Sequence, residues 1–105
     1  MLRVNPDNYN VYGFKGEGGY LTFDDIPPTN GEISLRIKGN EAVEKRSLVF
    51  GEKTFTFILS DEDINRLGTG SFPYSVSTID ENGNKNTFIP DLSTGLKPTV
   101  NIEDQ

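Results

Sequence analysis

Cysteine, histidine and tryptophan are missing from this chain of 105 residues. Without cysteine the chain has no disulfide and no thiolate nucleophile, and without histidine it has no imidazole to act as a general base or zinc ligand. The usual serine hydrolase triad is excluded as well, because Ser60, Ser71 and Ser93 have no histidine partner. We therefore expect a protein that is not an enzyme, with no cofactor and no metal centre.

Positive charge is also scarce. Lys and Arg number 10 against 16 Asp and Glu, which gives a formal charge of −6. Proteins that bind nucleic acid or anionic lipid through their charge carry an excess of basic residues. No stretch reaches the length of an apolar membrane span, and the first residues contain no apolar run of signal-peptide length. We expect neither nucleic acid nor a membrane as a partner.

Helix-forming residues are few, with one alanine and one methionine. Val, Ile, Thr and the aromatic residues, which favour strands, number 34 in total. Gly, Pro, Asn and Asp supply another 35 residues and cluster between the apolar segments, as many short turns require. This composition predicts an all-β protein.

Three segments alternate apolar and polar residues, which is the pattern of a half-buried strand. Their apolar positions are Ile33, Leu35 and Ile37, then Phe55, Phe57 and Leu59, then Phe72, Tyr74 and Val76. Ile58 is the one apolar residue on the outer face of the second segment. In the third, Pro73 lacks a backbone donor, which favours an edge strand or a bulge.

The segment from Ser60 to Leu67 carries the helical signal. Ser60 can cap the N-terminus, the acids at 61–63 suit the positive end of the helix dipole, and Ile64 with Leu67 forms an apolar pair. Gly68 ends it. We expect one short helical turn at 60–67.

The remaining chain predicts further strands and turns. Asn82-Gly83 indicates a tight hairpin turn with a return strand at 85–89, and residues 99–102 form a last strand. The charged segment 39–46 is expected to be a loop or one helical turn, before a short strand at 47–50.

Seven or eight short strands without helices between them predict antiparallel pairing, because parallel strands need long connections. The expected fold is a two-sheet antiparallel immunoglobulin-like sandwich of about seven strands, and a small open barrel is the alternative. Residues 1–10 are expected to form a polar arm that can include a short edge strand at Leu2–Val4, and residues 11–105 a single domain.

Several segments resemble reactive motifs, and each has a simpler interpretation. The glycine-rich segment 15–19 lacks phosphate-loop spacing and is expected to be a turn. Residues 80–84 resemble the start of a calcium loop but lack the later acids. The acids at 24–25 and 61–63 are better explained by turn and helix N-terminal roles than by paired-carboxylate catalysis.

Five residues are candidates for an interaction surface. Tyr9, Tyr12 and Tyr20 lie in a polar, glycine-rich stretch and could present rings to a sugar or a protein, or pack in the core. Pro73 and Ser75 belong to an uncharged outward row that could add to a neighbouring sheet, although a solvated strand face is the favoured explanation of the row.

Residues 53–89 carry an ordered set of features. A strand at 53–59 leads into the acidic turn at 60–67, then a glycine, a tyrosine-bearing strand, an Asn-Gly turn and the segment Asn86-Thr87-Phe88-Ile89. This order resembles the N-terminal immunoglobulin-like domain of baseplate upper proteins and related tail proteins in phages of Gram-positive bacteria.

The resemblance implies a structural or adaptor module of a virion tail, baseplate or neck, made in the host cytoplasm. Its expected partners are other virion proteins or further copies of itself. A carbohydrate-binding or adhesin domain that uses the three tyrosines is the alternative.

Overall fold

The computed structural model describes residues 2–90, 95 and 97–104. Ser93 lies outside the described residues. The elements are β1 (Arg3–Val4), β2 (Val11–Phe14), β3 (Gly19–Phe23), β4 (Asn30–Lys38), β5 (Ala42–Phe50), β6 (Phe55–Leu59), α1 (Asp61–Leu67), β7 (Gly70–Asp80), β8 (Lys85–Ile89) and β9 (Thr99–Glu103). The all-β expectation is confirmed, with one short helix.

The described strands form two sheets. The larger sheet has the order β1-β2-β9-β7-β4-β5, with β8 also paired to β7, and the smaller sheet pairs β3 with β6. The expectation of antiparallel pairing throughout is wrong, because β2 and β9 run parallel, with Val11 beside Val100. These two strands come from opposite ends of the chain, so most of the protein serves as the long connection that parallel strands require.

One core lies between the two sheets. Ile33, Leu35 and Ile37 of β4 have no exposed surface, and Phe57 and Leu59 of β6 are buried with them. The same cluster includes Leu21 and Phe23 of β3 and Val100 and Ile102 of β9. The alternation of the β4 and β6 segments is thus confirmed, and burial of these side chains is the main source of stability.

The prediction of a loop or one helical turn at 39–46 is wrong from Ala42 onward, because β5 begins there, and only residues 39–41 form the connection from β4. Strand β5 pairs with β4 along its whole length, from Lys38 beside Ala42 to Asn30 beside Phe50. Glu44 and Arg46 lie on the outer face, where the Arg36 Nε atom is 3.4 Å from Glu44 Oε1, whereas Lys45 lies on the inner face. Pairing to a buried strand overrides the weak local strand propensity.

Pro73 does not lie in an edge strand, because β7 is flanked by β4 on one side and by β8 and β9 on the other. The last β4–β7 pair is Ile37 with Tyr74, and the last β7–β9 pair is Pro73 with Thr99. Pro73 therefore lies where both ladders end, so its missing N–H breaks neither. The bulge lies further along, where the register shifts between Val76 and Ser77.

The helix and the hairpin form as predicted. Ser60 Oγ accepts a hydrogen bond from the Asp63 N–H at 3.1 Å, and Asp63 Oδ2 accepts one from the Ser60 N–H at 2.9 Å, which completes a capping box. In the hairpin, Asp80 Oδ1 accepts hydrogen bonds from the backbone N–H groups of Asn82 and Asn84. Gly83 has a φ of 84°, a backbone conformation that glycine adopts more easily than other residues.

The glycine-rich segment 15–19 is a turn that passes close to the start of α1. The Gly18 N–H donates to Asp61 Oδ1 at 2.8 Å. A Cβ atom at Gly18 would lie 2.3 Å from the backbone oxygen of Leu59, so no larger residue fits without movement. The segment thus has a packing role, and Asp61 has a structural partner.

The N-terminal segment is joined to the sheet. Leu2 is buried in the core, and β1 pairs with β2 through Arg3 and Val4. The division between an arm at 1–10 and a domain at 11–105 stays a prediction.

Candidate interaction surfaces

The three tyrosines do not form one surface. Tyr20 is 66% exposed on β3 in the smaller sheet, whereas Tyr12 is 44% exposed on β2 in the larger sheet. Tyr9 is half-buried, and its ring packs edge-on against Phe88 with centroids 5.8 Å apart. Its backbone has a φ of 60° and its carbonyl accepts a hydrogen bond from the Tyr74 hydroxyl. Tyr9 therefore has a packing role.

Tyr12 lines a shallow depression of about 310 Å³. Arg3 and Asn101 lie beside it on the neighbouring strands, and Phe14 and Glu103 complete the wall. The Asn101 amide is already engaged, since its Nδ2 donates to the carbonyls of Val11 and Thr99. Two aromatic rings and the charged ends of Arg3 and Glu103 are thus left for a ligand.

Tyr20 has an apolar neighbour on the outer face of the smaller sheet. It lies directly opposite Ile58, which is 65% exposed. The next pair on this face is Thr22 with Thr56, whose hydroxyls are 2.9 Å apart. The sequence placed Ile58 on an outer face and left Tyr20 open between exposure and core packing, and their pairing depends on the β3–β6 register.

Strand β5 carries a second exposed apolar pair, which the sequence did not identify as a site. Leu48 is 65% exposed and Phe50 is 72% exposed, and both lie on the outer face of the larger sheet. Among the described strands β5 pairs with β4 alone, so one edge of β5 is free of strand pairing, and on β5 the Phe50 N–H donates to the Glu52 carboxylate. We name Leu48, Phe50 and this free edge the β5 edge surface. The run Leu48-Val49-Phe50 was the available signal, because alternation places Val49 on one face and Leu48 with Phe50 on the other, so a strand with one face in the core leaves apolar side chains exposed.

Pro73 and Ser75 line a pocket of about 300 Å³ on the outer face of the larger sheet. The pocket lies where β7 passes from pairing with β9 to pairing with β8. Its other lining residues are Arg36, Lys38, Tyr74, Pro90, Lys97 and Pro98. We name it the proline pocket. The sequence placed Pro73 and Ser75 on an outward row but did not bring the distant basic residues and prolines to them.

Among the described residues Asp63 and Tyr74 have shifted pKa values, and both side chains have structural contacts. Burial acts to raise the pKa of Asp63, but hydrogen bonds and charge from Lys45, together with hydrogen bonds from Ser60, hold that pKa below its usual value. Burial raises the pKa of the Tyr74 hydroxyl, and Tyr9 adds to the effect.

Three residues of the acidic segments at 24–25 and 61–63 have structural partners. Asp24 Oδ1 accepts a hydrogen bond from the Thr54 hydroxyl at 3.1 Å, and Asp61 and Asp63 hold the Gly18 turn and the helix cap. Within residues 2–90, 95 and 97–104, no three acidic side chains converge as a metal site would need. No helix in the described part of the chain is long and apolar enough to cross a membrane.

Comparisons with protein families, with curated proteins and with solved structures find no match to this chain.

Proposed function

We propose that this protein is a non-enzymatic structural or adaptor module that acts through protein–protein contacts, as part of a phage virion in the tail, baseplate or neck. The β5 edge surface is the observation that carries the contact role. It combines two large exposed apolar side chains with an unpaired strand edge. Such an edge can pair with a strand of another chain, and exposed apolar side chains gain free energy when a partner covers them.

The assignment to a virion rests on the sequence resemblance. The features that carry it lie in consecutive elements, from β6 through α1 and β7 to the hairpin with β8. The immunoglobulin-like class is part of this proposal, and the shared core between two sheets supports it. The parallel β2–β9 pair is the point at which this chain departs from the antiparallel pattern we expected.

The charges near the edge suit a specific contact rather than open-ended aggregation. Arg46 lies on β5 between the apolar pair and Glu44, and its Nη1 atom is 3.8 Å from Glu32 Oε1. Charged residues on an edge strand oppose unlimited sheet extension. A partner must therefore match both the apolar pair and the charges, which limits the choice of partner.

The test measures the sedimentation of the protein alone and its binding to virions and tail proteins. The proposal predicts either self-association that depends on concentration or co-sedimentation with purified virions or tail proteins from the same source. A monomer at every concentration that binds none of these particles or proteins would contradict it.

A carbohydrate-binding role is the second candidate, and the depression at Tyr12 favours it. Sugar rings pack against exposed aromatic rings while nearby polar groups bind their hydroxyls, and Tyr12, Phe14, Arg3 and Glu103 supply both kinds of group. Glycan-array binding that is lost in Tyr12→Ala and kept in Tyr20→Ala would support this role. Absence of any signal from the wild-type protein would remove it.

A further inference from the structure

We infer that the proline pocket binds an acidic peptide segment that carries an apolar side chain. The inference deepens the proposed function and rests on it, because it names the chemistry of a partner protein. The site is distinct from the β5 edge surface. Lys38 lies six residues along β4 from Glu32, the neighbour of Leu48, which is a distance of about 20 Å in an extended strand.

The wall of the pocket is suited to an apolar side chain. Pro73, Pro90 and Pro98 line it together with Tyr74. Proline has no backbone N–H, so three of these four residues offer no main-chain donor to a polar ligand. The volume of about 300 Å³ is at the small end of the range for ligand sites, and suits one large side chain rather than an extended cofactor.

The rim of the pocket is positively charged. Arg36, Lys38 and Lys97 line it, and among the residues that the structure describes no Asp or Glu does. Arg36 is matched by Glu44 at 3.4 Å, whereas Lys38 and Lys97 form no ion pair within the part of the chain that the structure describes. Three of the 10 basic residues thus surround one pocket in a chain of net charge −6.

The positive charge around the pocket favours a partner segment that carries negative charge. Carboxylates that flank an apolar side chain would meet Lys38 and Lys97 while the side chain entered the pocket, and such complementarity favours both encounter and register. A nucleic acid backbone is a poor fit, because the chain as a whole is acidic and would repel a long run of phosphates.

The sheet geometry explains why a peptide can reach the pocket. Between the β9 ladder, which ends at Pro73, and the β8 ladder, which begins at Val76, no described residue pairs with the β7 residues Tyr74 and Ser75 on that side. An extended peptide can therefore lie across the gap, with its side chain directed into the pocket.

The test uses four fluorescein-labelled seven-residue peptides, each with a central Phe, Leu, Ile or Trp flanked by Asp and Glu. Matched peptides carry Ser at the centre, or Lys in place of the acids. Binding is measured by fluorescence anisotropy of the peptides. The binding site is located from amide chemical shifts in nuclear magnetic resonance (NMR) spectra of the isotope-labelled full chain. We expect at least one acidic peptide to bind and to shift the amides of Ser75 and Lys97, with weaker binding of both matched forms.

Charge-reversal variants locate the interaction. The double variant Lys38→Glu, Lys97→Glu should weaken binding at least about tenfold, whereas Lys53→Glu, a single reversal outside the pocket, should change it less than about twofold. NMR spectra of each variant verify that the fold is kept. Inorganic phosphate at millimolar concentration serves as a competitor, and displacement of the peptide by phosphate alone would identify a simple anion site and overturn the peptide assignment.

Two other outcomes would overturn the inference. One is that none of the four acidic peptides shifts the pocket amides at millimolar concentration. The other is that the double variant binds as well as the wild type. Neither outcome bears on the β5 edge surface, because self-association and binding to virion proteins are measured separately, so failure of this inference and failure of the proposed function can be told apart.

Discussion

Lys45 Nζ lies 2.9 Å from Asp63 Oδ2, which joins the inner face of β5 to the first turn of α1. The same carboxylate accepts the Ser60 N–H, so a single buried side chain caps the helix and anchors it to the larger sheet. These contacts hold the pKa of Asp63 below its ordinary value.

The low pKa of Asp63 predicts how stability depends on pH. Because the folded-state pKa is below the unfolded value of 3.8, the carboxylate contributes stability that is fully present above that value. The contribution is lost as the pH falls through the folded pKa. Asp63→Asn should destabilise the protein by about 1 kcal/mol near neutral pH and reduce the loss of stability in acid.

Urea unfolding at pH 7 and across the acid range measures this effect. Glu62→Gln is the matched control, because Glu62 is exposed and pairs only with Arg66 in the helix. An Asp63→Asn variant with wild-type stability at pH 7 and across the acid range would show that the Lys45 contact contributes nothing to stability.

Tyr74 should be the most sensitive residue of β7. It is buried in the core and its hydroxyl donates to the Tyr9 carbonyl. Tyr74→Ala should lower the free energy of unfolding by about 3 kcal/mol or more, because it leaves a cavity. Tyr74→Phe should lower it by about 1 kcal/mol through loss of the hydrogen bond.

Denaturant melts of both variants, with Tyr20→Ala as an exposed control, check this prediction. The control should change stability by less than about 0.5 kcal/mol. A neutral result for Tyr74→Ala would mean that the inward face of β7 has been assigned incorrectly.

Gly18 should not tolerate a side chain. A Cβ atom there would lie 2.3 Å from the Leu59 carbonyl oxygen and 2.8 Å from the Asp61 nitrogen. Both are backbone atoms that can move only with β6 and α1, so Gly18→Ala should destabilise by about 1–3 kcal/mol. Gly83→Asn is the comparison, because a Cβ atom at Gly83 meets nothing within 4 Å and Asn tolerates a positive φ. Thermal unfolding that ranks Gly83→Asn as the more damaging change would contradict this account.

Local sequence pattern predicted the elements whose stability is local or whose burial is regular. The period-2 burial of β4, the cap at Ser60 and the Asn-Gly turn each depend on residues close together in the chain. The start of β5 was missed because Glu41–Arg46 has no local strand signal and gains its conformation by pairing with β4. The parallel β2–β9 pair joins Val11 to Val100, a relationship that no short-range pattern contains.

The surfaces were predicted less well than the fold, because they depend on contacts between residues that lie far apart in the chain. The sequence predicted that Ile58 faces outward and left Tyr20 open between exposure and core packing, and only the β3–β6 register makes the two residues neighbours. Tyr9 was a candidate for exposure, yet its positive φ directs the ring against Phe88. The proline pocket gathers residues from β4, β7 and the segments next to β8 and β9, and its charge is visible only after folding.

The central claim is that this protein works through contacts at its outer surface, first at the β5 edge surface. The most direct measurement is sedimentation velocity over a wide concentration range, for the protein alone and mixed with tail proteins. The double variant Leu48→Glu, Phe50→Glu is compared with Asn86→Glu, Thr87→Glu on the exposed strand β8. We predict that the β5 variant loses the association that the wild type and the β8 variant show. Equal association by all three proteins, or none by the wild type, would contradict the claim.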